Sequence, residues 1–109
     1  MAEKFYIRRN DRRPILVAEL SDEDGPVDLS AASAVEFHMS SAIGSTAKIE
    51  AAATVSNATE GEVTYTWVTG DTDTAGSYLA EFEVTWTDGT QESYPDPGYF
   101  LIVVSEDLA

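Results

Sequence analysis

Four arginines offer the clearest binding chemistry in this chain. They fall within six positions of the segment FYIRRNDRRP, residues 5–14: Arg8, Arg9, Arg12 and Arg13. A guanidinium group is planar and pairs with a carboxylate through two parallel hydrogen bonds, which makes arginine a better contact residue than lysine. Residues 1–13 carry a net charge of +3 and the remaining residues carry −17. We therefore expect these arginines to bind carboxylates, either within the same domain or on another protein.

Exposed aromatic residues are the second kind of candidate, because flat rings offer stacking surface to a ligand. Tyr94 and Tyr99 flank the prolines of YPDPGY, and we predict that both are exposed. Together with the loop from Ser40 to Thr46 they mark the predicted place for binding a glycan. Other aromatic residues fall at alternate positions on predicted core faces and are expected to be buried: Tyr65, Trp67, Tyr78, Phe82 and Trp86.

Catalytic and metal-binding patterns are weak. His38 is the lone histidine, and it shares a predicted strand face with Glu36. Catalysis or metal binding there would need further partners, and no recognisable nucleophile motif is present. The aspartates at 22–24 and 71–73 do not continue into a calcium loop, and aspartate is an ordinary turn residue. We predict no enzymatic activity, no catalytic residue, no metal site and no cofactor.

The strongly acidic composition restricts the class of partner. Twenty acidic residues against six lysines and arginines give a formal net charge of −14. Phosphate binding needs clustered cations, so we do not expect a nucleic-acid partner, and contact through the basic N-terminal segment is the alternative. A lysine-poor acidic surface is also typical of proteins that work at high salt. A halophilic source and an ordinary acidic protein are both consistent with it.

The length and composition predict one folded domain. At 109 residues the chain has the size of a single domain, residues 1–109, with a basic strand and turn at 4–14 and a short tail at 105–109. No segment has the apolar region of a signal peptide or the roughly 20 apolar residues of a membrane span, so no membrane partner is expected. The absence of cysteine excludes disulfides, and stability must come from packing.

Alternation of apolar and polar residues dominates the chain and predicts an all-β fold. It is clearest in SYLAEFEVTW, and it predicts further strands in PILVAEL, AVEFHM and EVTYTW. The apolar run YFLIVV predicts a strand near the sheet centre or covered on both faces. Residues 48–55 are predicted as one strand, and Asp88-Gly89 predicts a hairpin from about Ala80 to Tyr94. The basic segment becomes a first strand, Phe5 to Arg9, followed by a turn.

The number and spacing of the strands indicate the architecture. About seven to nine short strands with polar turns fit an immunoglobulin-like antiparallel β-sandwich, with a small barrel as the alternative. The segment DTDTAGSYLA resembles the corner before strand F of immunoglobulin-like domains. In that resemblance Tyr78 is the corner tyrosine, and Ala80 stands where antibody domains place their second cysteine.

Taken together, these segments resemble the N-terminal domain of the phage baseplate upper protein family of tailed viruses. The resemblance runs from about Phe5 to Val104 and rests on turn formers and core aromatics more than on polar site residues. The residues that carry it are Arg9-Asn10-Asp11 with Pro14, the turn DGPVDL at 24–29, Val35, Phe37, Met39, Trp67, Gly70-Asp71-Thr72, Ala75-Gly76, Tyr78, Glu81-Phe82, Tyr94-Pro95 and Tyr99.

The resemblance implies a non-enzymatic virion structural protein that is made in the host cytoplasm and assembles through multimeric contacts. Its implied partners are other virion proteins and copies of itself, and its implied position is the baseplate, the tail, a fibre attachment or the capsid surface. The alternative is an exposed immunoglobulin-like module that binds a receptor or glycan. Arg8, Arg9, Arg12, Arg13, Tyr94 and Tyr99 are the predicted contact residues for these partners.

Overall fold

A computed structural model describes residues 4–95 and 98–108 and confirms the all-β sandwich. Eleven strands occur in these residues: β1 Lys4–Arg8, β2 Leu16–Glu19, β3 Ser21–Asp22, β4 Gly25–Pro26, β5 Ala32–Ser40, β6 Ile49–Ala52, β7 Thr54–Asn57, β8 Glu62–Tyr65, β9 Gly76–Trp86, β10 Gln91–Tyr94 and β11 Phe100–Ser105. Within the described ranges no helix is long and apolar enough to cross a membrane.

The larger sheet is built around β9. Its strand order is β1-β11-β9-β5-β6, and β10 also pairs with β9. The inward residues of β9 are Tyr78, Ala80, Phe82 and Val84, all buried, because alternate side chains of a strand point to the same face. Glu81 and Glu83 lie on the opposite, outer face.

The smaller sheet, β2-β8-β7, closes the core from the other side. The Phe37 ring of β5 stacks on the Tyr65 ring of β8 with a centroid distance of 4.6 Å, and the Trp67 ring meets Phe37 edge-on at 5.8 Å. These contacts join the two sheets through one buried cluster, as in a sandwich. The strands β3 and β4, of two residues each, pair with each other and belong to neither sheet.

The strand count exceeds the predicted seven to nine because one predicted strand is divided and because the short strands β3 and β4 flank the turn predicted at residues 22–26. Residues 48–55 form two strands: β6 pairs with β5 in the larger sheet, and β7 pairs with β8 in the smaller one. The chain changes sheets at Ala53, whose N–H donates to the Val35 carbonyl at 2.9 Å. Alternation could not reveal this change, because both sheets face the same core and the inward positions continue in phase.

The C-terminal strands confirm the hairpin and decide between the two alternatives predicted for YFLIVV. β10 and β11 follow one another along the same edge of β9, and residues 95–99 separate them. Of the predicted turn Pro95–Gly98, Asp96 and Pro97 lie outside the described residues. β11 is an inner strand, between β1 and β9, but Leu101 and Val103 are only half-buried on its outer face. The strand therefore takes the first of the two predicted alternatives, an inner position in the sheet.

Two further features concern the strand ends. β1 pairs with β11 in parallel, with Lys4 opposite Leu101 and Arg8 opposite Ser105, so the sandwich is not wholly antiparallel. The tyrosine corner is confirmed, because the Tyr78 hydroxyl donates to the Thr74 carbonyl at 2.6 Å. Ala80 is buried in the core two residues later.

Candidate protein-docking surfaces

The first surface is the basic turn, which we define as Arg8, Arg9, Arg12 and Arg13 with the residues between them. Its backbone is held by the loop after β8. The Asn10 N–H donates to the Thr72 carbonyl at 2.9 Å, and the Thr72 hydroxyl donates to the Asp11 carbonyl at 2.8 Å. Thr72 is a buried polar residue, and the Trp67 indole N–H donates to the Pro14 carbonyl at 3.1 Å. The turn is therefore fixed to the core at both ends.

The conformation of the turn depends on Asn10, which has a φ of 67°. Asparagine adopts this left-handed conformation more readily than other residues with a β-carbon. The position of Asn10 as a turn residue was predicted from the sequence. The supporting roles of Thr72 and Trp67 were not predicted, because both act across more than 50 residues of chain.

The four arginines differ in how they are paired. Arg9 Nη1 lies 3.3 Å from Glu106 Oε2, and Arg8 Nη1 donates to the Glu106 carbonyl at 3.4 Å. The Arg9 side chain is 43% exposed and the Glu106 side chain 68% exposed, so solvent screens the pair and it contributes about 0–1 kcal/mol. Arg12 and Arg13 are exposed, and neither guanidinium has a hydrogen bond or ion pair with any other residue that the structure describes. Pairing within the domain is thus recorded for Arg8 and Arg9, while Arg12 and Arg13 face solvent.

The second surface is a cleft on the outer face of the larger sheet. Its volume is about 220 Å³, and it lies between the loop after β5 and Tyr99. Ile43 is 75% exposed on the loop side, Leu79 lines the cleft from β9, and Glu50 and Glu81 contribute carboxylates. The two segments that the sequence analysis grouped, Ser40 to Thr46 and the stretch around Tyr99, therefore meet at one site.

Tyr94 does not belong to this cleft. It is buried, with a relative exposure of 6%, so the prediction that it is exposed is wrong. Its neighbouring prolines suggested a loop, but Tyr94 ends β10 opposite Phe82 and continues the inward alternation of the hairpin. Tyr99 is half-buried and lines the cleft.

His38 borders the cleft and is held by carboxylates on two strands. Its Nε2 lies 2.7 Å from Glu36 Oε1, and its Nδ1 lies 3.0 Å from Glu81 Oε2. Partial burial opposes protonation, but the hydrogen bonds to Glu81 and Glu36 and the nearby charge of Glu83 outweigh it, so the pKa of His38 is raised above 6.5. Ligand atoms of Glu36, His38 and Glu83 lie within 4.8 Å of one another. Both ring nitrogens of His38 are hydrogen-bonded to carboxylates, so this cluster is explained by a histidine that is ion-paired with its neighbours.

The aspartates that were considered for calcium stabilise turns. Asp71 Oδ2 accepts hydrogen bonds from the Tyr65 hydroxyl at 2.6 Å and from the Val68 N–H at 2.9 Å. Burial and this hydrogen bond raise the pKa of Tyr65 well above its usual value. Lys48 Nζ lies 2.7 Å from Asp73 Oδ1, and its hydrogen bond lowers the pKa of Asp73. The Asp71 contacts match the prediction of a turn residue, and Asp73 joins the same loop to Lys48.

Comparison with known proteins decides the family. The model of the BppU N-terminal domain, the N-terminal domain of the phage baseplate upper protein, matches residues 3–94. This chain belongs to the BppU N-terminal domain family. Its members are structural domains of the phage baseplate. The family therefore belongs to the virion tail, among other virion proteins. No curated protein matches the sequence.

A solved structure gives independent support for the fold of this BppU N-terminal domain. It is described as the crystal structure of CopC from Methylosinus trichosporium OB3b, and the two chains are 16% identical. The alignment covers 100% of this chain and 89% of the other, with a TM-score of 0.57. At this identity the similarity concerns the β-sandwich alone. The basic turn and most of the cleft, including its Ser40–Thr46 loop, fall within the residues that match the BppU model, while Tyr99 follows them.

Proposed function

We propose that this chain is a non-enzymatic structural subunit of a tailed-virus baseplate, and that it docks on carboxylates of neighbouring subunits through Arg12 and Arg13 of the basic turn. The observation that carries the proposal is the state of Arg12 and Arg13. Both are exposed on a turn whose backbone is fixed by Thr72 and Trp67, and neither has a partner among the described residues. A rigid backbone lowers the entropy lost when such side chains are ordered at an interface.

Charge supports the same assignment. Arg12 and Arg13 belong to a segment with a net charge of +3, on a chain whose other residues carry −17. Copies of the chain therefore offer many carboxylates to a small number of guanidinium groups. Charge complementarity of this kind orients partners and speeds their association. Arginine forks also favour one docking geometry over others.

Replacement of Arg12 and Arg13 by alanine tests the proposal. We expect the double variant to fold normally, because neither side chain is buried or paired, and to be depleted from assembled particles. Circular dichroism with thermal melting measures folding, and quantitative mass spectrometry of purified particles measures incorporation. Arg8→Ala with Arg9→Ala is the matched control, because it removes the same charge from side chains that contact Glu106. Normal incorporation of the Arg12 and Arg13 variant would contradict the proposal.

A second candidate function is binding of a host glycan or receptor in the cleft. The observation that favours it is the meeting of Tyr99 with Ile43 and Ser40 around one concave site. Glycan-array and host-cell binding by the isolated domain test this function. Binding that is lost in Tyr99→Ala and kept in Arg12→Ala with Arg13→Ala would support it over the first candidate.

A further inference from the structure

We propose that the cleft on the outer face of the larger sheet is the receptor for Arg12 or Arg13 of a second copy of this chain. This inference rests on the proposed function and adds the identity of the acceptor surface. It makes the contact heterologous, because the basic turn of one copy meets a different surface on the next. A repeated heterologous contact closes into a ring or continues as a filament.

The lining of the cleft suits a long cationic side chain. Leu79, Ile43 and Tyr99 provide apolar and aromatic surface, and Glu50 and Glu81 provide negative charge. An arginine side chain has an apolar stem that packs on such surface and a planar head that stacks on an aromatic ring while it pairs with a carboxylate. A neutral ligand would leave the Glu50 carboxylate without a cation.

The carboxylates differ in their availability. Glu81 already accepts a hydrogen bond from His38, and its side chain is 27% exposed. Glu50 is exposed, and no hydrogen bond or ion pair is recorded for its side chain within residues 4–95 and 98–108. Among the described residues, Glu50 is therefore a carboxylate without a cationic partner. Arg12 and Arg13 are guanidinium groups without an anionic partner.

The size of the cleft also favours a single side chain. Its volume of about 220 Å³ is below the roughly 300–1,000 Å³ that is usual for sites that enclose a drug-sized ligand. One arginine side chain is a closer match than an oligosaccharide. A protein partner would insert one residue and place the rest of its contact area on the surrounding sheet face.

The arginines of the same copy are poorly placed to fill the cleft. β9, which carries Leu79 of the cleft, is separated from β1 by β11, about 10 Å across the sheet at the usual strand spacing, and Leu79 is level with Lys4 at the end of β1 that lies away from the basic turn. After β1 the chain crosses to β2 in the smaller sheet, so the basic turn leads away from the outer face on which the cleft lies. Contact between the two surfaces is therefore expected between copies.

The net charge of −14 does not prevent this contact. The molecule measures 46 Å along its longest axis, whereas electrostatic screening acts over about 8 Å at physiological salt. Charges far from the interface are thus largely screened, and the local match of guanidinium and carboxylate groups decides the interaction. The contact should weaken when the salt concentration is raised to about 1 M.

Charge exchange between the two surfaces tests the inference. The self-association of the purified chain is measured by sedimentation velocity at about 0.15 M salt, with melting curves to verify folding. We expect Arg12→Glu with Arg13→Glu, and separately Glu50→Arg, to weaken self-association about tenfold or more. Mixing the two variants should restore it, because the unchanged basic turn of the Glu50→Arg chain meets the unchanged cleft of the other chain, whose acidic turn meets the basic cleft.

Controls make each outcome decisive. Glu60→Arg changes the charge by the same amount at an exposed residue between β7 and β8 and should leave association unchanged. Glu50→Gln should weaken association even if Glu50→Arg misfolds. A monomeric wild-type chain up to about 1 mM, or a mixture that does not associate, would overturn the inference. If only the arginine variant weakened association and lost incorporation, the proposed function would stand and the cleft would not be its acceptor.

Discussion

At the scale of single residues, His38 links the outer face of the larger sheet to pH. Its imidazole joins Glu36 on the same strand to Glu81 on the neighbouring strand. Because the pKa of His38 in the folded chain is raised above 6.5, its ion pairs stabilise the fold fully below pH 6.5, and this contribution is lost as the pH rises through the raised pKa.

This behaviour is a testable prediction. His38 is the lone histidine of the sequence, so an NMR titration of its ring protons reports one site, and its midpoint should lie above 6.5. Urea unfolding of the wild type and of His38→Gln should differ most at acidic pH and converge as the pH rises. A midpoint at or below 6.5, or a stability difference that grows with pH, would contradict the prediction.

Prediction at the residue level succeeded where the pattern within a single strand was sufficient to place a side chain. Alternation placed Glu36 and His38 on one face, and it identified the arginines as charges at the end of a first strand. It could not pair His38 with Glu81, because the register between β5 and β9 depends on residues more than 40 positions apart. The prediction that Tyr94 is exposed failed for a related reason. Its burial depends on the partner strand, whereas its local context suggested a loop.

At the scale of elements, Gly61 joins the smaller sheet to the β3–β4 pair. Its carbonyl accepts a hydrogen bond from the Leu20 N–H at 2.8 Å, and its φ is 69°. A β-carbon at Gly61 would collide with the backbone carbonyls of Leu20 and Val27, which have no rotamer to change. Glycine is therefore required at this position on both conformational and steric grounds.

Substitution of glycines separates these two grounds. Gly89→Ala places a side chain at a φ of 90° with no atom within 4 Å, so it should lose about 1–2 kcal/mol of unfolding free energy. Gly61→Ala adds the collision and should lose about 3 kcal/mol or more. Chemical denaturation of the two variants measures the difference. Equal losses would mean that the backbone around Gly61 moves to accept the methyl group.

The elements were predictable to the extent that their sequence pattern is local. Strand existence and the Asp88-Gly89 hairpin followed from alternation and turn chemistry, and the Tyr78 corner followed from the resemblance to immunoglobulin-like domains. The change of sheet at Ala53 and the parallel pairing of β1 with β11 did not, because neither alters which residues face inward. The cleft was foreseen as two loops, but its acidic lining required the register of β5, β6 and β9.

At the scale of the whole molecule, surface charge is unevenly distributed over a body of 46 × 26 × 24 Å. The basic turn occupies the end of β1, while carboxylates cover the outer face of β5, β6 and β9. A protein with this distribution presents different surfaces to successive neighbours. It is therefore suited to directional assembly, in which each copy has one orientation relative to the next.

The parallel pairing of β1 with β11 has a mechanical consequence. Tension applied between Lys4 and Ser105 acts along the two strands in opposite directions, so five residue pairs resist sliding together. Tension between Lys4 and Leu101, which face each other, opens the same ladder one pair at a time. The chain contains no cysteine, so introduced cysteines allow both attachments in single-molecule pulling. The attachment at Lys4 and Ser105 should need the greater unfolding force, and equal forces for the two attachments would refute this. A domain built in this way can transmit load along its length while its sandwich stays folded.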